Sequence, residues 1–199
     1  VFMSSSFFKS LNIFILVIMF LIIFISCFFS NSFSYDNLIF DDSYYDFSIN
    51  NSDYLWPTPG YTTITSYFGN RYSPTAGASS YHKGLDIGAP EGSKLIAITD
   101  GKITFTGFLG GGGYTITLSI NNMKITYCHV SPNYIVKKGD IIKKGQVIGF
   151  VGPKNVYGVA GNQYKDENGN PTNGATTGPH LHLGVRINNE YINPLNLYN

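Results

Sequence analysis

Between Thr62 and Ile187 the chain is cut into short runs rich in Ile, Val, Thr, Tyr and Phe, each closed off by Gly, Asn, Asp or Pro. The runs Thr62 to Phe68, Leu95 to Ile98, Lys102 to Thr106, Tyr114 to Ile120, Met123 to Cys128, Val147 to Val151 and Leu181 to Ile187 have the length and composition of strands. β-Branched and aromatic side chains fit a pleated, half-buried surface, and no stretch here carries an amphipathic helical period. Asn121-Asn122 between two runs is a hairpin turn signal, and Asp100-Gly101 is another. The pattern predicts an all-β fold of short antiparallel strands in one compact domain. From Val136 to Gly149 a six-residue echo, Lys-Lys-Gly-x-x-Ile/Val, places Gly139 and Gly145 where turns need positive φ, with the lysines on a solvated face.

The last of these runs carries the chemistry. In Gly178-Pro179-His180-Leu181-His182-Leu183-Gly184 two histidines stand one residue apart, so on a strand both imidazoles point to one face. About a hundred residues earlier, His82-Lys83-Gly84-Leu85-Asp86 sets a histidine and a carboxylate four apart. Gly84, Gly88 and Pro90 argue for an extended segment, in which positions 82, 84 and 86 line one side and Gly84 leaves room for an ion. Imidazole nitrogen and carboxylate oxygen are zinc ligands, and a catalytic zinc takes three protein ligands. His82, Asp86 and one of His180 and His182 meet that count. The chain has four histidines, and the fourth, His129, follows Tyr127-Cys128 at the end of another run.

Phe68-Gly69-Asn70-Arg71, then His82-x-Gly84-x-Asp86, then Tyr127-x-His129, then Gly178-Pro179-His180-Leu181-His182 resemble, in that order, the lysostaphin-type (LytM-like) zinc metalloendopeptidases that cut peptide bonds in bacterial peptidoglycan. The resemblance runs from about Ile64 to Tyr198. It implies the duplicated hybrid motif fold, one Zn2+ per chain held by His82, Asp86 and His182, and His129 with His180 as the catalytic pair. It also implies bacterial peptidoglycan as the partner. Relatives that no longer cut, and act as envelope scaffolds or as activators of other wall hydrolases, usually lack one or more of these residues; here all five positions are filled. Leu183-Gly184 departs from the aromatic and acidic pair that many members carry there, without touching a ligand position.

Outside this region, Leu11 to Phe29 is uncharged for 19 residues and follows Lys9. It has the length of a membrane span and also the pattern of a signal peptide's n- and h-regions. Asp36, Asp41, Asp42, Asp46 and Asp53 follow it with no Lys or Arg among them, which places the downstream bulk outside the cytoplasm. The expected organisation is an N-terminal hydrophobic helix within 1–34, serving as membrane anchor or cleaved signal; an Asp/Asn/Ser-rich linker over 35–59; and the metalloendopeptidase domain over 60–199. A lipoprotein-type acylation at Cys27 fits its phenylalanine neighbours poorly. Net charge is +1, which gives no footprint for nucleic acid.

With Cys27 in the apolar stretch and Cys128 in a strand, no disulfide framework exists, and Cys128 reads as a small buried residue. Gly110 to Gly113 leads into a strand and not a helix, so it is no phosphate loop; a flexible wall of the substrate groove is expected. Pro153 to Thr177 feeds directly into the His180 segment and is expected to form another wall of the cleft. No His-Glu-x-x-His pattern is present, so proton transfer falls to His129 and His180.

Overall fold

The computed structural model describes residues 53–198, and the expected hydrophobic helix within 1–34 and most of the 35–59 segment lie outside the described residues. Twelve strands follow in chain order: β1 (Ile64–Ser66), β2 (Gly69–Asn70), β3 (Tyr81–His82), β4 (Leu85–Ile87), β5 (Lys94–Ile96), β6 (Gly101–Phe108), β7 (Tyr114–Ile120), β8 (Met123–Cys128), β9 (Ile141–Ile142), β10 (Val147–Phe150), β11 (Leu181–Ile187) and β12 (Glu190–Ile192). The main sheet runs β1-β4-β11-β8-β7-β6-β9, with β12 sharing an edge of β11 with β4. β5 pairs with β10 and β2 with β3. Every pairing is antiparallel, and the only helical pieces among the described residues are 3-10 turns at Gly110–Gly112 and Pro194–Leu197. The all-β antiparallel expectation is met.

Alternation explains why the central strand sits as it does. Leu181, Leu183 and Val185 of β11 are fully buried, against Ile125 and Tyr127 of β8 and Leu85 and Ile87 of β4. His182 and Arg186 alternate with them along the strand and face the other way. Burying each of those three side chains is worth roughly 1.5–3 kcal/mol, so a one-residue slip of β11 would forfeit roughly 5–9 kcal/mol. The hydrophobic set therefore fixes the rung on which His182 stands.

Turn chemistry closes the strands as expected. The β7–β8 hairpin pairs Ile120 with Met123, and Asn121 between them has φ 51°. In the lysine-rich echo Gly139 and Gly145 adopt φ 106° and 83°. Asp140 Oδ2 accepts from the Lys137 N–H and Gln146 Oε1 from the Lys143 N–H, and the lysines are exposed. Leu55 and Pro57, from the stretch expected as linker, bond to the domain: Leu55 N–H donates to Ile98 O, and Ile96 N–H to Pro57 O. Trp56 packs on the core and Thr58 is fully buried.

Candidate metal centre

Three strands converge on one point. Asp86 in β4 stands directly opposite His182 in β11, and His82 comes from the end of β3, whose short pairing with β2 sets Gly69 against it. Asp86 Oδ1 lies 2.8 Å from His182 Nδ1 and 3.0 Å from His82 Nε2, and the two imidazole nitrogens are 2.9 Å apart. Burial of the site makes this costly for bare polar atoms: His82 is 2% and Asp86 8% exposed.

The surrounding hydrogen bonds decide what faces what. His82 Nδ1–H donates to Tyr67 O at 2.8 Å, so its Nε2 carries a lone pair. The Asp86 carboxyl is held well below the usual carboxylate range; burial opposes ionisation, but the close imidazoles of His180, His182 and His82 outweigh it. Burial in turn disfavours the charged form of His182 and lowers its pKa. The lone pair on His82 Nε2 thus points at His182 Nδ1 and Asp86 Oδ1, three polar atoms within 3.0 Å of one another, an arrangement that a cation makes favourable. Ligand atoms about 2.0–2.2 Å from a tetrahedral zinc stand roughly 3.3–3.5 Å apart, so a small adjustment admits the ion. The donor set fits zinc.

Arg71 fixes the other half of the carboxylate. Its guanidinium donates to Asp86 Oδ2 at 2.9 Å and to Ser66 Oγ at 2.6 Å, which leaves Oδ1 alone to face the two histidines. Gly84 has a role different from the expected one. A Cβ there would lie 2.6 Å from the His182 ring and from Leu183 O, so the glycine makes room for the His182 imidazole, and not directly for an ion.

His129 and His180 form a second pair beside the first. Their ring centroids are 4.8 Å apart, and His180 Nε2 lies 3.6 Å from Asp86 Oδ1. His180 Nδ1–H donates to Gly178 O at 2.9 Å, and His129 Nδ1–H to Asn173 O at 2.6 Å. Both rings therefore present Nε2 as acceptor. Burial, with His180 and His182 nearby, pushes the His129 pKa down to about 3, so it is neutral at any working pH. His129 lies just past β8 in a left-handed conformation, φ 58°, which turns it out of strand alternation. Cys128, by contrast, pairs with His182 across the sheet and stays on the ladder. Burial pushes its thiol up to about 12, as suits a small packed residue and not a ligand.

These groups line a cleft of about 800 Å³. One wall is the glycine turn, which is pinned where a flexible segment was expected. Ala175 N–H donates to Gly111 O, His129 N–H to Gly112 O, and Tyr114 N–H to Asn173 Oδ1. A Cβ on Gly113 would collide with the Asn173 backbone, so glycine serves close approach here. Ala175 and Thr177 bring the Pro153–Thr177 segment to the cleft, as expected. Asn173 is the residue that sequence reasoning missed. It is fully buried, its backbone oxygen holds His129, and its side chain ties Tyr114 N–H to Val130 O. In the sequence it precedes a glycine and reads only as a turn residue.

Residues 80–194, which contain all five candidate residues, match peptidase family M23. The chain belongs to this family. The DD-carboxypeptidase/endopeptidase Mpg of Neisseria meningitidis serogroup B is 35% identical over 138 residues, which cover 69% of this chain and 27% of that protein. The catalytic domain of the antimicrobial peptidase lysostaphin from Staphylococcus simulans superposes with a TM-score of 0.54 at 29% identity, covering 68% of this chain and 91% of that one. A zinc-containing peptidase from Vibrio cholerae gives 0.55 at 28% identity, over 71% of this chain and 39% of that one. The M23 chain thus spans about a quarter of the length of the curated relatives it matches first.

Proposed function

We propose that this M23 chain is an exported zinc endopeptidase that hydrolyses peptide bonds in bacterial peptidoglycan, in a stem peptide or a cross-bridge. The observation that carries it is the convergence of His82 Nε2, Asp86 Oδ1 and His182 Nδ1 within 3.0 Å beside two further histidines of fixed tautomer. His82, Asp86 and His182 hold one Zn2+ in this reading, which supplies Lewis acidity to a peptide carbonyl and lowers the pKa of water at the site.

The protein's own residues do the rest. Asn173 O and Gly178 O anchor the Nδ1–H of His129 and His180, so each Nε2 can take a proton from water and return it to the departing amine. Burial keeps His129 neutral, so its Nε2 lone pair is available to accept a hydrogen bond, while its lowered pKa makes it the weaker base. Arg71 keeps Asp86 oriented and ionised, and the Tyr67 carbonyl keeps His82 in the ligating tautomer. The names of the relatives, a DD-carboxypeptidase/endopeptidase and lysostaphin, support a wall-peptide substrate. The uncharged stretch Leu11 to Phe29 supports export, with residues 1–34 as membrane anchor or signal and 60–199 as the catalytic domain.

A non-cleaving scaffold or activator is the second reading, and the filled set of five residues speaks against it. The test measures bound zinc by atomic emission and new amino termini released from peptidoglycan, for the chain and for His180→Ala. One zinc in both, with cleavage only by the parent, is expected. Zinc without cleavage of several wall types would move the protein to the scaffold reading, and absence of zinc would remove the metal site.

A further inference from the structure

Beyond the five histidine and aspartate positions, the same face of β11 carries an arrangement of charge that the hydrolytic site does not use. Arg186 is four residues past His182 and points to the same side. Its guanidinium lies over the Tyr191 ring, 5.2 Å from the centroid, and Lys83 Nζ lies against that ring at 5.3 Å. All three residues line the cleft. A Cβ on Gly184 would lie 3.8 Å from both His182 Nε2 and Tyr191 Cε1, so the glycine sits between the zinc ligand and this cation pair.

Among the described residues nothing local neutralises these cations. Among the residues lining the cleft the sole carboxylate is Asp86, which is engaged by Arg71, His82 and His182. Neither Lys83 nor Arg186 has an ion pair among the described residues, and Arg186 Nε is buried without a hydrogen-bond partner. Across the sheet Arg186 stands directly opposite Lys124, whose Nζ reaches only the neutral Asn189 Oδ1. Like charges on one rung destabilise a sheet. Glu190 neighbours Tyr191 along β12, pairs with Ile187 and takes the opposite face. An unpaired guanidinium, a second cation and an aromatic plane at the end of a cleft make a site for a planar anion.

We infer that Arg186 and Lys83, stacked about Tyr191, form a carboxylate-binding subsite that selects wall peptides bearing a free carboxylate near the bond to be cut. The inference rests on the proposed wall-peptide function and specifies the substrate class. Arg186 stands four residues along β11 from His182 and extended peptide spans about 3.3–3.6 Å per residue, so the subsite reads a carboxylate up to about four residues from the reacting bond, or one carried on a long side chain. The aliphatic stems of Lys83 and Arg186 and the tyrosine face give that residue an apolar bed.

The probe is a cross-linked tetrapeptide dimer released from a bacterial wall, compared with the same dimer after its carboxylates have been converted to amides. Binding is measured by calorimetry on the full chain carrying His180→Ala with zinc present, and cleavage by the parent chain is followed separately. The free dimer is expected to bind about tenfold or more tightly than the amide form, with the advantage shrinking as salt rises. Arg186→Gln should abolish the preference and Arg186→Lys restore part of it. Lys83→Gln, at an exposed position that leaves the fold alone, should reduce the preference severalfold. Equal binding of the two dimers, binding of neither, or a preference untouched by both Gln variants would overturn the subsite. Selective binding without cleavage would leave the subsite standing and defeat the hydrolase reading instead.

Discussion

Replacing Gly84 by alanine tests the proposed ligand geometry with a single methyl group. Gly84 has no positive φ, so alanine brings no backbone strain, and its effect is steric alone. The new Cβ meets His182 Cε1, His182 Nε2 and Leu183 O, each at 2.6 Å, where ordinary contacts begin near 3.4 Å. Leu183 O belongs to a strand locked by fully buried neighbours, so the imidazole must swing or the chain before β4 must lift. Overpacking of this kind costs about 1–3 kcal/mol. A displaced ring also takes one of three ligands off the metal, which is a larger insult than the 10- to 100-fold loss typical of an outer-shell change. Zinc affinity, read by competition with a chromogenic chelator, should fall by about 100-fold or more, while thermal unfolding shifts by only a few degrees. Gly178→Ala is the control: it adjoins the His180 segment, its φ is ordinary, and a Cβ there meets nothing within 4 Å. Parent-like zinc affinity in Gly84→Ala would refute the placement of His182, and equal losses in both variants would refute the steric explanation.

Three further outcomes follow from the surroundings of the site. Asn173→Ala orphans the buried Val130 O, at about 1–3 kcal/mol, and the half-buried Tyr114 N–H, at less, so calorimetric melting should drop by roughly 5–10 °C, and an unchanged midpoint would contradict the network. Arg71→Met removes the donor on Asp86 Oδ2 and should weaken zinc binding about 10- to 100-fold in the chelator assay with little change in melting temperature. Cys128, buried and with its thiol pushed up to about 12, should resist iodoacetamide in the folded protein up to pH 9 and react on unfolding, as peptide mass analysis will show; rapid native alkylation would place it at the surface.

Much of the fold was legible because its longer strands are bounded by turn chemistry. β7, β8 and β11 coincide with runs visible in the sequence, since Asn121-Asn122 closes one hairpin and the His180 segment opens directly into a strand. β2, β3 and β9 are two residues each, too short to show a period, and exist only through their partners. The five candidate residues were legible as residue types in motifs, but their supports were not. Asn173 acts on His129 through a backbone oxygen, which leaves no mark on side-chain identity. His129 itself leaves the strand pattern through a left-handed φ that a non-glycine residue does not advertise. Gly84 was visible as a small residue, yet only the placed imidazole shows what its missing side chain avoids.

Filling the five positions is therefore not the same as building the site. The stretch that matches the family begins at residue 80, whereas Ser66, Tyr67 and Arg71 lie before it. Those three residues set the His82 tautomer and hold Asp86 Oδ2 away from the converging atoms. A carboxylate released from Arg71 would be free to turn both oxygens inward, and a His82 released from Tyr67 could protonate Nε2 and cease to be a ligand. β11 contributes the complementary constraint. Its buried leucines and valine cannot slip without forfeiting several kcal/mol, so His182 must face Asp86 on one side and Cys128 on the other. The hydrophobic register thus supplies position and the polar segment before residue 80 supplies protonation state, and a zinc site needs both.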